Sequence, residues 1–265
     1  MALTKVIGNG LGAVTQDGAA TFNEGSADVD FRVESNSNAN MLFVNGGTDK
    51  VGINTNSPTG MLTIDSGFLQ VDVSGTQGIR VGSTDQIVGG TINDGVIQSA
   101  TSKAIRFYNG GTESMRIRSD GSVTKPLQPA FLVTPSNSNQ TNINADGTTT
   151  LIFGTEIFDA NDDFASNTFN APVTGKYQIN CLWGTRGLDS AANHYIFQLV
   201  TSNRNYELQI DDANAFANDC NFYFTLSQLC DMDAGDTAIM TVITAGGAAQ
   251  VDINADSRFS GYLVA

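Results

Sequence analysis

Few residues of this chain have types and spacings that could do chemistry. His194 is the only histidine, set between Asn193 and Tyr195 at the start of an alternating run. A hydrolytic triad around it would need a nucleophile on a strained strand-to-helix turn, and no Gly-x-Ser-x-Gly sequence exists. A lone strand histidine is read as structural or simply exposed. The acidic side chains are more suggestive. Asp162-Asp163, Asp211-Asp212 and Asp231-x-Asp233-x-x-Asp236 form three clusters in turn-rich stretches. Calcium takes six to eight oxygens from such loops. None of the three has the Gly at position six and Glu at position twelve of an EF-hand loop, so Asp231, Asp233, Asp236, Asp211 and Asp212 are weak calcium candidates beside the plainer reading, a solvated acidic rim. Paired carboxylates also hydrolyse glycosides when a groove holds them at the right separation. Gly8-Asn9-Gly10-Leu11-Gly12 lacks the Lys-Ser/Thr and the βαβ context of a phosphate loop and is read as a loop. Cys181, Cys220 and Cys230 show no Cys-x-x-Cys spacing, and three thiols cannot all pair within one chain. They are expected to be reduced and mostly buried, in a protein folded in a cytoplasm. No catalytic residue and no cofactor site emerges from this inventory, and an enzyme is not expected.

Charge narrows the classes further. The chain of 265 residues has 13 Lys+Arg against 27 Asp+Glu, a formal net charge of −14. The acidity is lopsided, for residues 131–265 carry 4 basic against 15 acidic side chains. Such a surface repels phosphate backbones, which excludes a nucleic-acid partner. It also disfavours non-specific association. No run of 18 apolar residues occurs, so no membrane insertion is expected. The apolar part of Met1-Ala-Leu-Thr-Lys-Val-Ile-Gly8 is too short for a secretory signal.

The elements that must position these groups are strands. Thr favours the pleat, while Gly and Asn favour tight turns, and the chain uses all three heavily. Apolar alternation recurs at 131–134, 149–153, 176–183, 194–201, 206–210, 222–226, 238–244 and 258–264. No long segment carries a capped 3.6-residue period. Regular short strands with turn signals predict an all-β antiparallel sandwich of about ten strands over residues 126–265. Trp183, Tyr177, Tyr195, Phe197, Phe222 and Phe224 are its expected core, and some of them could line a subunit contact. Lys125-Pro126-Leu127-Gln128-Pro129 marks the boundary before it, because two prolines this close deny both helix and central strand.

The clearest pattern runs from Phe164 through Phe169, Pro172 and Gly175 to Ile179. Tyr177, Ile179 and Cys181 face one way, and Lys176, Gln178 and Asn180 the other. Gly175 is expected in the turn before that strand, at a backbone angle a Cβ would strain. Phe169, Gly175, Tyr177 and Ile179 resemble the signature of the complement-q globular head, the jelly roll it shares with tumour-necrosis-factor-like proteins. That family carries a Gly-Asp step before its penultimate strands, matched by Gly235-Asp236. Its Ser-Phe-Ser-Gly-Phe-Leu strand is matched by Ser257-Arg258-Phe259-Ser260-Gly261-Tyr262-Leu263. The family usually has Phe where Ile179 stands, and Phe164 is two residues nearer Phe169 than usual. The resemblance covers the second half of the chain. It implies a jelly roll that assembles as a homotrimer, with calcium in some members.

The first half repeats itself. Met41-Leu42-Phe43-Val44-Asn45-Gly46-Gly47-Thr48, returning through Lys50-Val51-Gly52-Ile53, is matched 64 residues on by Ile105 to Ile117 with Asn109-Gly110-Gly111-Thr112 in register. Asn-Gly between apolar runs predicts a two-residue hairpin turn with positive φ at both central positions. Two copies suggest a hairpin repeated along a shaft. Residues 30–64 resemble a segment of bacteriophage tail-fibre and other virion-fibre proteins. The counterparts are Asp30-Phe31-Arg32-Val33, Leu42-Phe43-Val44-Asn45, Val51-Gly52-Ile53-Asn54-Thr55-Asn56-Ser57-Pro58 and Leu62-Thr63-Ile64. Asn54 stands where those proteins have Gly, which a positive-φ turn tolerates.

Together these readings divide the chain into a virion-attachment arm (1–27), a short-strand β-repeat shaft (28–125) and a jelly-roll head (126–265). Short shaft strands with apolar residues on one side bury little alone, whereas three copies around an axis can close those faces into a core. The shaft is therefore expected to be trimeric, intertwined or prism-like. The expected function is that of a homotrimeric fibre or spike on the surface of a bacteriophage virion. Its N-terminal region would contact other virion proteins, and its head would bind a host cell-surface glycan or protein. The alternatives are a capsid decoration or head fibre with a mainly structural role, and a non-viral lectin-like adhesin.

Overall fold

A computed structural model describes residues 28–73, 76–83, 87, 95–143, 146–188, 192–211, 220–246 and 251–264. The expected attachment arm, 1–27, the Gly8–Gly12 loop and Asp212 lie outside the described residues. The chain divides into two compact units, residues 1–105 and 106–265.

In the first unit, β1 (Phe31–Val33), β2 (Leu42–Asn45), β3 (Lys50–Ile53) and β4 (Leu62–Ile64) form one sheet in that order. β3 and β4 run parallel and the other pairs antiparallel. Val44 lies opposite both Phe31 and Val51, and Val51 opposite Leu62, so the period-two apolar residues share one face. β5 (Leu69–Val73), β6 (Thr76–Ser83) and β7 (Gly95–Ser99) make a second, antiparallel sheet.

The two repeat copies part company at their turns. In the second unit, β8 (Ile105–Asn109) and β9 (Thr112–Ile117) join through Gly110 and Gly111 at φ +57° and +87°, the expected two-residue turn. β10 (Val123–Thr124) pairs with the other side of β9. In the first copy, Asn45 instead pairs with Lys50 and the loop is four residues long, with Asp49 left-handed at φ +57°. The Thr48 N–H donates to Asn45 Oδ1 (2.9 Å), and the Gly46 N–H donates to Asp30 Oδ1 (3.1 Å). A Cβ on Gly46 would stand 2.6 Å from the Val29 carbonyl oxygen. This glycine serves the close approach of the segment before β1, and tertiary context overrides the local turn preference. Asn54 does take positive φ, +64°, and its amide donates to the Asp65 carbonyl (2.9 Å).

After Pro129 the chain builds a sandwich. Its strands are β11 (Ala130–Thr134), β12 (Gln140–Ile143), β13 (Gly147–Thr150), β14 (Thr155–Asp159), β15 (Phe164–Ala165), β16 (Thr168–Asn170), β17 (Gly175–Leu188), β18 (His194–Thr201), β19 (Asn205–Ile210), β20 (Cys220–Met232), β21 (Thr237–Ala245), β22 (Val251–Ile253) and β23 (Arg258–Leu263). The seven-stranded sheet has the order β12-β22-β17-β23-β11-β14, with β20 on the other side of β17. The six-stranded sheet has the order β15-β16-β21-β18-β19, with β13 also on β21. From β16 onward the chain alternates between sheets, apart from the β18–β19 hairpin and the β22–β23 step within one sheet. That antiparallel, sheet-switching path is a jelly roll. The strand total exceeds the expected ten because β12, β13, β15 and β22 are fragments of two to four residues.

Alternation along β17 decides which side is core. Tyr177, Ile179, Cys181 and Trp183 are buried, while Lys176 is exposed and Gln178 and Asn180 are half-buried. Phe131 stacks on Phe169 at 4.6 Å and meets Phe259 edge-on at 5.1 Å. Phe169, Tyr177, Ile179 and Phe259, residues of the sequence signature, thus belong to one core cluster. Each such aromatic contributes about 1.5–3 kcal/mol by leaving water. Gly175 is not in a turn: it opens β17 opposite Met232 in extended backbone. Phe222 departs from the expected core as well. It is exposed on β20, its ring 6.0 Å from that of half-buried Phe224.

Candidate functional site

The acidic residues of the β20–β21 turn come together as a set of internal caps. Gly235, at φ +92°, lets the chain reverse there. Asp236 Oδ2 accepts from the Asp233 N–H (2.8 Å) and from Asn203 Nδ2 (2.9 Å). The Arg204 guanidinium spans both oxygens of Asp231 at 2.6 Å. Gly235 N–H donates to the Ala171 carbonyl and Ala171 N–H to the Asp236 carbonyl, both at 2.8 Å. The Gly-Asp step is therefore tied to the strand that carries Phe169, and the signature residues hold one corner of the head. These oxygens already have protein donors, and among the described residues no group of three or more His, Cys, Asp or Glu side chains is arranged to hold a metal ion.

The other candidates stand apart. Asp211 follows β19 and accepts from the Gln209 amide. Asp162 is left-handed at φ +57°, and burial pushes the neighbouring Asp163 carboxyl above its ordinary range, with Asp159 and Asp162 adding to the shift. His194 is half-buried at the first position of β18, opposite Ala245. No disulfide joins the cysteines; Cys181 and Cys230 are buried and Cys220 is half-buried. Burial raises the Cys181 thiol well above its usual range, so it is an inert core group.

A broader feature lies on the outer face of the seven-stranded sheet. Register brings Leu182 beside Arg258 and Thr225, Asn180 beside Ser260 and Ser227, and Gln178 beside Tyr262 and Leu229. Leu132 lies beside Ser260 and Phe158 on the same face. At its centre Gln178 Nε2 donates to Ser227 Oγ (3.0 Å), which donates to Asn180 Oδ1 (2.8 Å). Beside this polar ladder is a shallow depression of about 400 Å³ floored by Leu132 and Leu182. Phe158, Tyr262 and Leu229 stand around it about half exposed. Satisfied polar groups between open apolar side chains suit contact with another surface. The single-strand alternation of Tyr262 and Ser260 against Phe259 signals which residues of β23 face outward. The pairing that gathers five strands into this face, and the roles of Asn203 and Arg204, carry no signal in the sequence.

No family model matches the chain, and no curated protein matches it. Among solved structures it is similar to the globular domain of zebrafish complement 1qA (TM-score 0.39, 17% identity, covering 52% of this chain and 98% of that one). It is also similar to murine APRIL at pH 8.5 (TM-score 0.36, 9% identity, 52% and 99% covered) and at pH 5.0 (TM-score 0.37, 9% identity, 52% and 99% covered). The jelly-roll assignment stands on the strand order described above.

Proposed function

We propose that this chain is a homotrimeric surface protein of a bacteriophage particle, a fibre or spike. Its N-terminal region attaches to other virion proteins, and its jelly-roll head binds a host cell-surface glycan or protein. The observation that carries the trimer is the outer face of the seven-stranded sheet. Phe158, Tyr262 and Leu229 stand open there around the Gln178–Ser227–Asn180 ladder, the mix of apolar anchors and satisfied polar groups that suits a protein interface. The virion role rests on the likeness of residues 30–64 to fibre segments. In this reading the head is a rigid scaffold that presents loops, so its work is binding rather than catalysis.

Sedimentation of the purified full chain tests the assembly: a trimer is expected, and a monomer at micromolar concentration overturns it. Trimers should also bind host cells and compete with particle adsorption. Labelled antibody against residues 126–265 should decorate the particle surface, and labelling confined to the interior of opened particles would sink the virion reading.

A further inference from the structure

The β5–β6–β7 sheet has its polarity reversed for a surface sheet of a monomer. Arg80 lies opposite Gln70 and Gln98, so these polar side chains share one face. That face is partly covered, with Arg80 and Gln98 half-buried and Gln70 exposed. Arg80 Nε donates to Gln70 Oε1 (2.7 Å), and its guanidinium sits 4.8 Å over the Phe68 ring. Gly82, on the same face, would place a Cβ 2.7 Å from Phe68 Cβ and 3.3 Å from Ile87 Cδ1. Ile87 is buried there.

The aliphatic face is the open one. Leu69 pairs with Val81, Val71 with Ile79, and Val81 with Ile97, and these five side chains are 38–55% exposed. No charged residue interrupts them. The β1–β4 sheet also leaves an apolar face open: Phe31 (37%), Val33 (44%) and Leu62 (61%) stand exposed there, while Phe43 and Gly52 are buried on the other face. A half-solvated sheet ordinarily alternates the other way, apolar residues inward and polar ones outward.

We infer that the Leu69–Val71–Ile79–Val81–Ile97 face is a contact between copies of this chain, packed against its own counterparts. The inference rests on the homotrimer proposed above and assigns a surface to it. Three observations favour the chain's own copies as the occupant. Among its described residues the face has no charged group, and the Ser99 hydroxyl beside Ile79 already donates to the Lys103 carbonyl (2.9 Å). Two separate sheets of the same unit each leave an apolar face open, and a further copy supplies a matching apolar surface to both at once, whereas a different partner would have to match each. Closed symmetry then leaves neither face open. Five side chains at this exposure present on the order of 400 Å² per copy, so this face forms one part of a larger contact between copies rather than the whole of it.

Cysteine cross-linking in the full-length protein tests this. In a Cys220→Ser background, Val81→Cys changes the face little, whereas Gln98→Cys places a thiol on the partly covered face as a control. Val81→Cys is expected to give covalent dimers under mild oxidation, and to react with maleimide at least about tenfold more slowly in the native protein than after denaturation. Gln98→Cys should give no covalent dimer. A trimer in which Val81→Cys labels at the denatured rate without cross-linking would overturn the assigned face and leave the trimer standing. A monomer by sedimentation overturns both. A dimer that cross-links through Val81→Cys supports the face and overturns the three-fold assembly.

Discussion

The ring of Tyr223 lies across Gly184, its partner on the neighbouring strand. A Cβ on Gly184 would stand 2.8 Å from Tyr223 Cε1 and 3.2 Å from Asn254 Cβ. The arrangement is locked from above: Asn254 Nδ2 donates to the Tyr223 hydroxyl, which donates to Asp256 Oδ2, both at 3.2 Å. The Gly184 N–H donates to Ser257 Oγ at 3.0 Å. Gly184→Ala should therefore destabilise the second unit by about 1–3 kcal/mol through overpacking. Adding Tyr223→Ala should recover part of the loss, since the two share one contact. Thermal unfolding of the single and double variants checks this, and simple additivity would show that the ring does not carry the constraint.

Gly235 is demanding for a different reason. Its φ of +92° is closed to most side chains, although a Cβ there would meet nothing within 4 Å. Gly235→Ala is expected to cost about 1–3 kcal/mol from backbone strain alone. Urea denaturation should show the midpoint falling with the slope unchanged. A midpoint equal to the parent's would mean the turn has an alternative conformation without that strain.

Asp163 ties stability to pH. Desolvation raises its folded-state pKa above the unfolded value. Its contribution is therefore fully present below the ordinary carboxylate range and is lost as pH rises through the raised pKa. Glu113 has the opposite sign: its hydrogen bond to Arg116 lowers its pKa, so its contribution is lost as pH falls. Asp163→Asn isolates the first effect. The variant should gain on the parent as pH is raised from acid to neutral, read as the difference in melting temperature. A difference that stays constant with pH would remove Asp163 from the account.

The head carries its own core. All the buried residues of the main cluster fall between Phe131 and Phe259, and both large sheets are completed within β11–β23. Residues 126–265 expressed alone should be soluble and unfold in one cooperative transition, because a unit of this size buries about two-thirds of its unfolded surface. An insoluble product, or one without near-ultraviolet circular dichroism from Trp183, would place part of the folding information upstream.

Much of this fold was legible in single strands. Period-two alternation identified the buried side of β17, and Phe169, Tyr177, Ile179 and Phe259 do meet in the core. What failed was context. Asn45-Gly46-Gly47-Thr48 and Asn109-Gly110-Gly111-Thr112 are the same tetrapeptide, yet only the second closes in a two-residue turn, made by Gly110-Gly111 rather than by the Asn-Gly step, while Val29 and Asp30 crowd the first. Phe222 alternates like a core residue, but on β20 it stands exposed. Gly175 preceded a strand on paper and begins it in space. The outer face of the seven-stranded sheet was least legible, since it is made by pairing β11, β14, β17, β20 and β23, whose adjacency depends on the whole topology.

The place of β23 sets an order on the making of the molecule. It lies between β17 and β11, bonded to both, although it is the last strand of the sandwich. Until residue 263 has been synthesised, β11 and β17 have no strand to join them, and their facing edges wait unpaired. The seven-stranded sheet therefore closes only after nearly everything else in the head has been made. A chain stopped short of Arg258 would be missing its middle rather than its edge, and would offer two raw strand edges to its neighbours.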